Sequence, residues 1–97
     1  MRKITQDAIR AFRNNRKFKR GNTEVKVLPN SNYRELCLHG NIIAVANNFE
    51  LFIRDGGWQS NTTKERLNGF PNVSIHQKNF QWFLNGEAWD GQLIKVE

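Results

Sequence analysis

The sequence predicts an α+β fold in which an N-terminal amphipathic helix packs on an antiparallel sheet of about six to seven strands, with a second short helix. Apolar residues near the start of the chain recur at helical spacing. After Gly21, short alternating runs are separated by Asn and Gly turns, as in antiparallel sheets. A helix-capping pattern later in the chain indicates the second helix.

The first helix is predicted to begin near Thr5 and to end near Asn14-Asn15. Its apolar face consists of Ile4, Ala8, Ile9, Ala11 and Phe12. Thr5 is the expected N-cap, which puts Asp7 in the first turn, where the helix dipole favours an anion. Arg16 would fall inside the apolar face, so the helix is expected to stop before it.

Alternating apolar and polar residues predict the strands that follow. The strands expected before the second helix are residues 23–28, 33–39, 42–46 and 49–54. In the last of these, Phe49, Leu51 and Ile53 are expected to share one face. The third is the most continuously apolar, which favours a central position in the sheet.

The second helix is predicted from a capping box. Thr62 has the spacing to bond the third helical amide, while Glu65 reaches back to the start of the helix. The helix is expected to end near Asn68. Gly69 then takes the left-handed position after the helix, and Pro71 prevents its continuation.

The remaining strands lie in the C-terminal third of the chain. They are predicted at residues 72–77, 80–84, 87–89 and 92–96. Phe80, Trp82 and Leu84 alternate and are expected to face the core together. Asn85-Gly86 is the strongest short hairpin signal in the sequence.

Length and composition predict one domain in a reducing compartment. A chain of 97 residues has room for a single core. Its one cysteine, Cys37, cannot form an internal disulfide, and no window approaches the roughly 18 apolar residues of a membrane span. The expectation is a cytoplasmic protein that needs no cofactor and does not act at a membrane.

The charge is concentrated at the N-terminus. Residues 1–20 contain eight Lys or Arg against Asp7 alone, whereas residues 21–97 contain seven basic and eight acidic residues. We therefore expect a basic helix and arm at 1–20 and a nearly neutral α+β body at 21–97. Such asymmetry is typical of a segment that faces a polyanion, although a solvated helix face produces it too.

Several segments after residue 20 resemble a family of small uncharacterised proteins encoded by tailed bacteriophages and prophages. The resemblance is carried by GNTEV at 21–25, LHGNIIA at 38–44, GW at 57–58, TTKERLNGFPNV at 62–73 and FQWFLNGEAWDG at 80–91. It implies a phage context, in which small proteins often bind host nucleic acid or disable a host protein. It implies no catalytic residue, and the basic segment lies outside these motifs.

The sequence contains no convincing catalytic or metal motif. The available soft or imidazole ligands are Cys37, His39 and His76, without the usual ligand spacing. A hydrolytic triad could only be assembled from Ser60 or Ser74, His39 or His76, and Asp55 or Asp90, with no nucleophile-elbow sequence. We expect structural roles for these residues and no enzymatic activity.

The three tryptophans allow two interpretations. Aromatic side chains on a sheet face can stack on bases, but a chain this short needs large side chains for its core. Core filling is favoured for Trp58, Trp82 and Trp89. If one aromatic is exposed, Phe83 or Trp89 is expected rather than Trp82.

The basic segment carries the leading functional hypothesis. Its candidate phosphate-binding residues are Arg10, Arg13, Arg16, Lys17, Lys19 and Arg20. We expect a non-enzymatic protein that contacts DNA or RNA phosphates through them, with little sequence readout. The alternative is a host-takeover or anti-defence protein that binds a host protein with an acidic surface. Phe18 could anchor the arm or stack on a base.

Overall fold

The computed structural model describes residues 2–96, which contain two helices and nine strands. The helices are α1 (Lys3–Arg13) and α2 (Asn61–Leu67). The strands are β1 (Phe18–Arg20), β2 (Thr23–Val27), β3 (Arg34–Leu38), β4 (Asn41–Ala46), β5 (Leu51–Ile53), β6 (Ile75–Lys78), β7 (Gln81–Leu84), β8 (Glu87–Ala88) and β9 (Ile94–Lys95). The predicted α+β class, with its two helices, is confirmed.

The strands form two antiparallel sheets rather than one. The larger sheet has the order β1-β2-β3-β4-β5-β9, and the smaller has the order β6-β7-β8. Helix α1 packs on β1, β2 and β3, while α2 contacts β4 and β6 and so lies between the sheets. Buried side chains from both helices and both sheets form one continuous core.

The apolar face of α1 is buried as its spacing predicts. Ala8, Ile9 and Phe12 are buried, and the Phe12 ring meets Phe70 edge to face with 5.4 Å between ring centroids. The helix stops where Asn15 adopts a left-handed backbone with φ of 56°. The Asn15 amide then donates to the Phe12 carbonyl, while that of Arg16 donates to Ala11. This is a Schellman motif, and the predicted end of the helix is confirmed.

The predicted start of α1 is wrong. Its N-cap is Arg2, which makes no side-chain capping bond, and the helix therefore begins before Thr5. Thr5 is fully buried and donates to the Glu65 carboxylate. The Thr5 side chain therefore makes a contact with α2 instead of capping a helix. Because the helix begins at Lys3, Asp7 lies beyond its first turn.

A buried arginine joins α1, α2 and the larger sheet. Arg66 is 1% exposed and donates from Nη1 to Thr5 Oγ1 at 2.9 Å and from Nε to Thr23 Oγ1 at 3.0 Å. It also pairs with the Glu65 carboxylate. A buried guanidinium is tolerated only when it is hydrogen-bonded and paired, as here.

The capping residue of α2 is Ser60 rather than Thr62. Ser60 Oγ accepts from the Thr63 amide at 3.1 Å, so the helix starts earlier than the capping box predicts. Glu65 does not reach back to the helix start, because its carboxylate is held by Thr5 and Arg66. Gly69 does not adopt a left-handed backbone either; it is required because α1 passes close to it.

Turn geometry confirms one predicted hairpin and corrects two strand faces. Asn85 and Gly86 have φ of 50° and 89°, the pair of positive values that a type I′ turn needs. Asn79 and Phe80 also have positive φ, so Phe80 lies in a second tight turn and is 94% exposed instead of facing the core. Phe49 likewise lies in the turn before β5 and is 85% exposed.

Candidate functional site

The six basic residues predicted as phosphate-binding are all exposed. They do not form a helix and a free arm, because Phe18–Arg20 is the edge strand of the larger sheet. The structure divides them into three groups. Arg10, Arg13 and Arg16 lie at the end of α1, Lys17 and Lys19 line a groove along β1, and Arg20 turns toward α1.

The arginine group surrounds the C-terminus of α1. Arg10 and Arg13 occupy its last turn, where positive charge complements the helix dipole, and Arg16 follows the left-handed Asn15. Lys17 lies beyond the helix end. Arg13 and Lys17 are four positions apart in the chain, so their Cα atoms are at most about 14 Å apart.

The lysine group lines a groove of about 490 Å³ between β1 and β2. The register pairs Lys19 with Glu24, and Lys26 completes the groove opposite Lys17. Three lysines and one carboxylate therefore line the groove, and Lys26 is also paired with Glu35 of β3 in the register. Lys26 was not a predicted site residue, because alternation in β2 showed that it is exposed but not which strand lies beside it.

Phe18 anchors β1 to the body. It pairs with Val25 in the register and packs, half-buried, against the core. The guanidinium of Arg20 lies 5.0 Å from the centroid of the Phe18 ring. The basic segment is thus held in place by an apolar side chain and by strand pairing, and its lysines project from a fixed backbone.

Arg20 has an acidic partner on α1. Its Nη1 lies 2.9 Å from Asp7 Oδ2, and Lys3 lies 3.4 Å from the other carboxylate oxygen. The hydrogen bond from Arg20 is the largest cause that lowers the pKa of Asp7 below its ordinary value; partial burial opposes this and Lys3 adds to it. Arg20 ties β1 to α1, and its guanidinium is already paired with a carboxylate.

An alternative explanation for the lysines is protection of the sheet edge. Strand β1 ends the larger sheet, and lysine on an edge strand discourages pairing with other chains. This explanation applies to Lys17 and Lys19. It does not account for Lys26, which projects from the interior strand β2 into the same groove.

The structure brings three of the candidate triad residues onto one cavity of about 400 Å³. Ser60, His39 and Asp55 all line it, but among the described residues no hydrogen bond joins any two of them. Ser60 accepts from Thr63 as a helix cap, and Asp55 accepts from the Gly57 amide in a turn. Both oxygens are committed to local structure.

Cys37 and the histidines do not assemble into a ligand set. Within residues 2–96, no group of three or more His, Cys, Asp or Glu side chains could hold a metal ion. Cys37 is buried in β3, and burial raises the pKa of its thiol. His39 has a positive φ at the turn after β3, so it leaves the strand alternation that would align it with Cys37, while His76 stacks on Phe83 in the smaller sheet.

The tryptophans divide between core and surface. Trp82 and Trp89 are buried, with 6.1 Å between their ring centroids, as core filling predicts. Trp58 is 74% exposed beside the Ser60 cap, where sequence alone had favoured the core. Nothing in the pattern around Trp58 marks it as exposed, because it sits in an irregular turn without alternation.

A family model described as Kyanoviridae Gp96 protein matches residues 1–96. The chain belongs to this family. The Kyanoviridae Gp96 match confirms the resemblance to phage proteins of unknown function and extends it to the basic segment that the recognised motifs left out. Neither the curated proteins nor the solved structures contain a significant match.

A helix that crosses a membrane needs about 20 predominantly apolar residues. Within the described part of the Gp96-family chain, neither helix is long and apolar enough to cross a membrane.

Proposed function

We propose that this phage protein binds DNA or RNA through phosphate contacts inside the infected cell. The observation that carries the proposal is the groove in which Lys17, Lys19 and Lys26 face Glu24, next to the exposed arginines at the end of α1. A backbone fixed by strand pairing presents these cations together. A phosphate backbone offers a regular row of anions to such a surface.

The chemistry of the surface favours contacts to phosphate rather than to base edges. The cations that line the groove are lysine ammonium groups, which act as flexible point charges. The groove also runs along the strands β1 and β2 rather than along a helix that could enter a major groove. We therefore expect binding to many sequences with similar affinity.

Fluorescence anisotropy with two labelled duplexes of equal length and different sequence tests the proposal. A variant carrying Lys17→Gln, Lys19→Gln and Lys26→Gln should bind both duplexes much more weakly, because three phosphate partners are lost. A control with Lys64→Gln and Lys78→Gln removes charges outside the groove and should bind like wild type. Equal binding by the groove variant and the control, with normal melting curves, would reject the proposal.

If the lysines only protect the sheet edge, the same variant gives a different result. It would self-associate more readily, since an unguarded edge can pair with another chain. Analytical ultracentrifugation without nucleic acid would reveal this. Unchanged mass with reduced nucleic-acid affinity supports phosphate binding.

A second candidate function is binding of a host protein. Trp58 and Phe80 are large aromatic side chains that stand in solvent, and aromatic side chains are enriched at protein interfaces. A pull-down from host lysate with nuclease treatment separates the two functions. A partner that is retained after nuclease and lost in Trp58→Ala and Phe80→Ala variants would favour this one.

A further inference from the structure

The smaller sheet turns one face to the core and the other to solvent. Its core-facing side chains are Ile75, Trp82 and Leu84. Alternation places the opposite face, here called the outer face, at His76, Lys78, Gln81 and Phe83. Helix α2 approaches from the core side, since Lys64 donates at 3.1 Å to Gln77, which alternates with the outer-face residues. The outer face shares no residue with the lysine groove.

Two aromatic rings on the outer face form a flat platform. The rings of His76 and Phe83 are nearly parallel, with 12° between their planes and 5.4 Å between their centroids. The two residues are directly opposite in the register of β6 and β7, so strand pairing holds the rings together. His76 is exposed and Phe83 is half-buried. Aromatic rings on a sheet face are surfaces on which single-strand binders stack bases.

A third ring, that of Phe80, stands at the end of the same hairpin. Asn79 and Phe80 form the turn between β6 and β7 with φ of 52° and 67°, and Phe80 is 94% exposed. Bulky side chains rarely adopt this left-handed backbone, which glycine favours. The other turn of the sheet has a glycine at the corresponding position, Gly86, with φ of 89°. Neither packing nor backbone preference therefore accounts for the Phe80 ring, which points to a role in binding.

The three rings lie close together along the hairpin. Phe80 is three positions from Phe83, which corresponds to about 10 Å between their Cα atoms at about 3.4 Å per strand residue. Successive bases of a stacked strand are about 3.4 Å apart. The platform and the turn are therefore within reach of neighbouring bases of one strand.

The charge of the outer face favours an anionic ligand. Lys78 is exposed on this face, next to the Phe80 turn. The carboxylate of the smaller sheet, Glu87, is paired with Leu84 in the register and so belongs to the opposite face. Flat rings beside a cation suit a nucleic-acid strand, whose bases stack and whose backbone is negative.

We propose that the outer face and the Phe80 turn bind unpaired bases of single-stranded nucleic acid. One base stacks on the Phe80 ring and a neighbouring base on the platform of His76 and Phe83, beside the charge of Lys78. The lysine groove is proposed to contact phosphates, whereas this face contacts bases, so the inference does not rest on the groove. Duplex DNA is not a ligand of this face, because its bases are stacked on one another. Duplex affinity should therefore not depend on it.

Fluorescence anisotropy with two labelled single strands of equal length tests this inference. One strand is a deoxyadenosine oligomer, and the other is an abasic oligomer that has the same phosphates and sugars but no bases. The wild-type protein should bind the deoxyadenosine oligomer about 5-fold more tightly or better, since only that strand can stack. Equal affinities, or no binding of the deoxyadenosine oligomer, would overturn the inference.

Two variants remove the rings without touching the core. Phe80→Gly suits the left-handed turn and should keep the wild-type Tm or raise it, while His76→Ala removes the exposed ring of the platform. Each should lower the preference for the strand with bases, and the double variant should abolish it. Trp58→Ala is the matched control, because this exposed ring lines the cavity of about 400 Å³ elsewhere. A double variant that keeps the full preference would contradict stacking on these rings.

The same strands separate this face from the lysine groove. The variant with Lys17, Lys19 and Lys26 replaced by Gln should bind both oligomers more weakly but keep the preference for bases. A groove variant that binds the abasic oligomer like wild type rejects the groove alone, and equal wild-type affinities reject base stacking alone. A riboadenosine oligomer that binds more tightly than the deoxyadenosine oligomer assigns the face to RNA. A host protein lost in Phe80→Gly, together with equal affinities for the oligomers, would assign the face to a protein partner and overturn the inference.

Discussion

At the scale of single residues, Ser60 and Thr62 give a matched pair of substitutions in one helix. Ser60 Oγ accepts from the Thr63 amide, whereas Thr62 makes no capping bond. Ser60→Ala should lower the free energy of unfolding by about 1 kcal/mol, and Thr62→Ala by less than about 0.5 kcal/mol. In a domain of this size the first change corresponds to a fall in Tm of about 4–8 °C. Thermal melts that show the larger loss for Thr62→Ala would restore the capping box.

Asp7 provides a prediction about pH. Its pKa in the folded protein is lowered from the ordinary value of 3.8, chiefly by the hydrogen bond from Arg20. The contribution of Asp7 to the free energy of unfolding is therefore fully present when the pH is above the pKa of the unfolded state. It is lost as the pH falls through the pKa of the folded state. Arg20→Gln should raise the pKa of Asp7 toward 3.8, as measured by NMR titration of the carboxyl carbon. Lys26→Gln is the control, and an equal pKa in all three proteins would contradict the ion pair.

Residue-level prediction failed where a side chain has two possible uses. Thr5, Thr62 and Glu65 all have the chemistry of helix caps, and local spacing cannot tell a cap from a tertiary contact. Thr5 and Glu65 instead join Arg66, a contact that spans about sixty positions in the chain.

At the scale of elements, Gly69, just after the end of α2, lies against side chains of α1. A Cβ at this position would lie 2.8 Å from Cγ1 of Ile9 and 2.8 Å from Cγ2 of Thr5. Overpacking of this kind costs about 1–3 kcal/mol, which exceeds the roughly 0.4–1 kcal/mol that Gly→Ala gains by restricting the unfolded chain. Gly69→Ala should therefore destabilise the protein in denaturant melts.

A double variant tests whether the helix contact is the cause. Thr5→Ser removes the crowded methyl group but keeps the hydroxyl that serves Glu65 and Arg66. Combined with Gly69→Ala it should lose less stability than the two single changes added together. A Gly69→Ala protein as stable as wild type would mean that α1 does not pass so close.

Elements with strong local signals were predicted well and those made by tertiary pairing were not. The periodic face of α1, its end at Asn15 and the Asn85-Gly86 hairpin all follow from local sequence. Strand β1 has three residues, two of them basic, and no strand pattern. It is a strand because β2 offers it hydrogen bonds and Phe18 reaches the core. The division into two sheets was likewise not predicted, because the alternation of apolar and polar residues indicates a strand but not the strand with which it pairs.

At the scale of the whole molecule, one core holds two surfaces of different character. The sheet and α1 fix the lysine groove, whose ligands are proposed to be phosphates of a long strand. The end of α1 and the β4–β5 connection border a separate cavity of about 350 Å³. The charge asymmetry of residues 1–20 was visible in the sequence, but its division between a helix end, a groove and an ion pair depends on the fold.

The salt dependence of duplex DNA affinity tests phosphate binding most directly. Each phosphate that the protein neutralises adds about 0.9 to the magnitude of the slope of log affinity against log salt. Replacing Arg16, Lys17, Lys19 and Lys26 by Gln should make the slope shallower by up to about 3–4 units, with a normal melt. The Lys64→Gln and Lys78→Gln control should keep the wild-type slope. A slope that is the same in all three proteins would contradict phosphate binding by this surface and favour the protein-partner function.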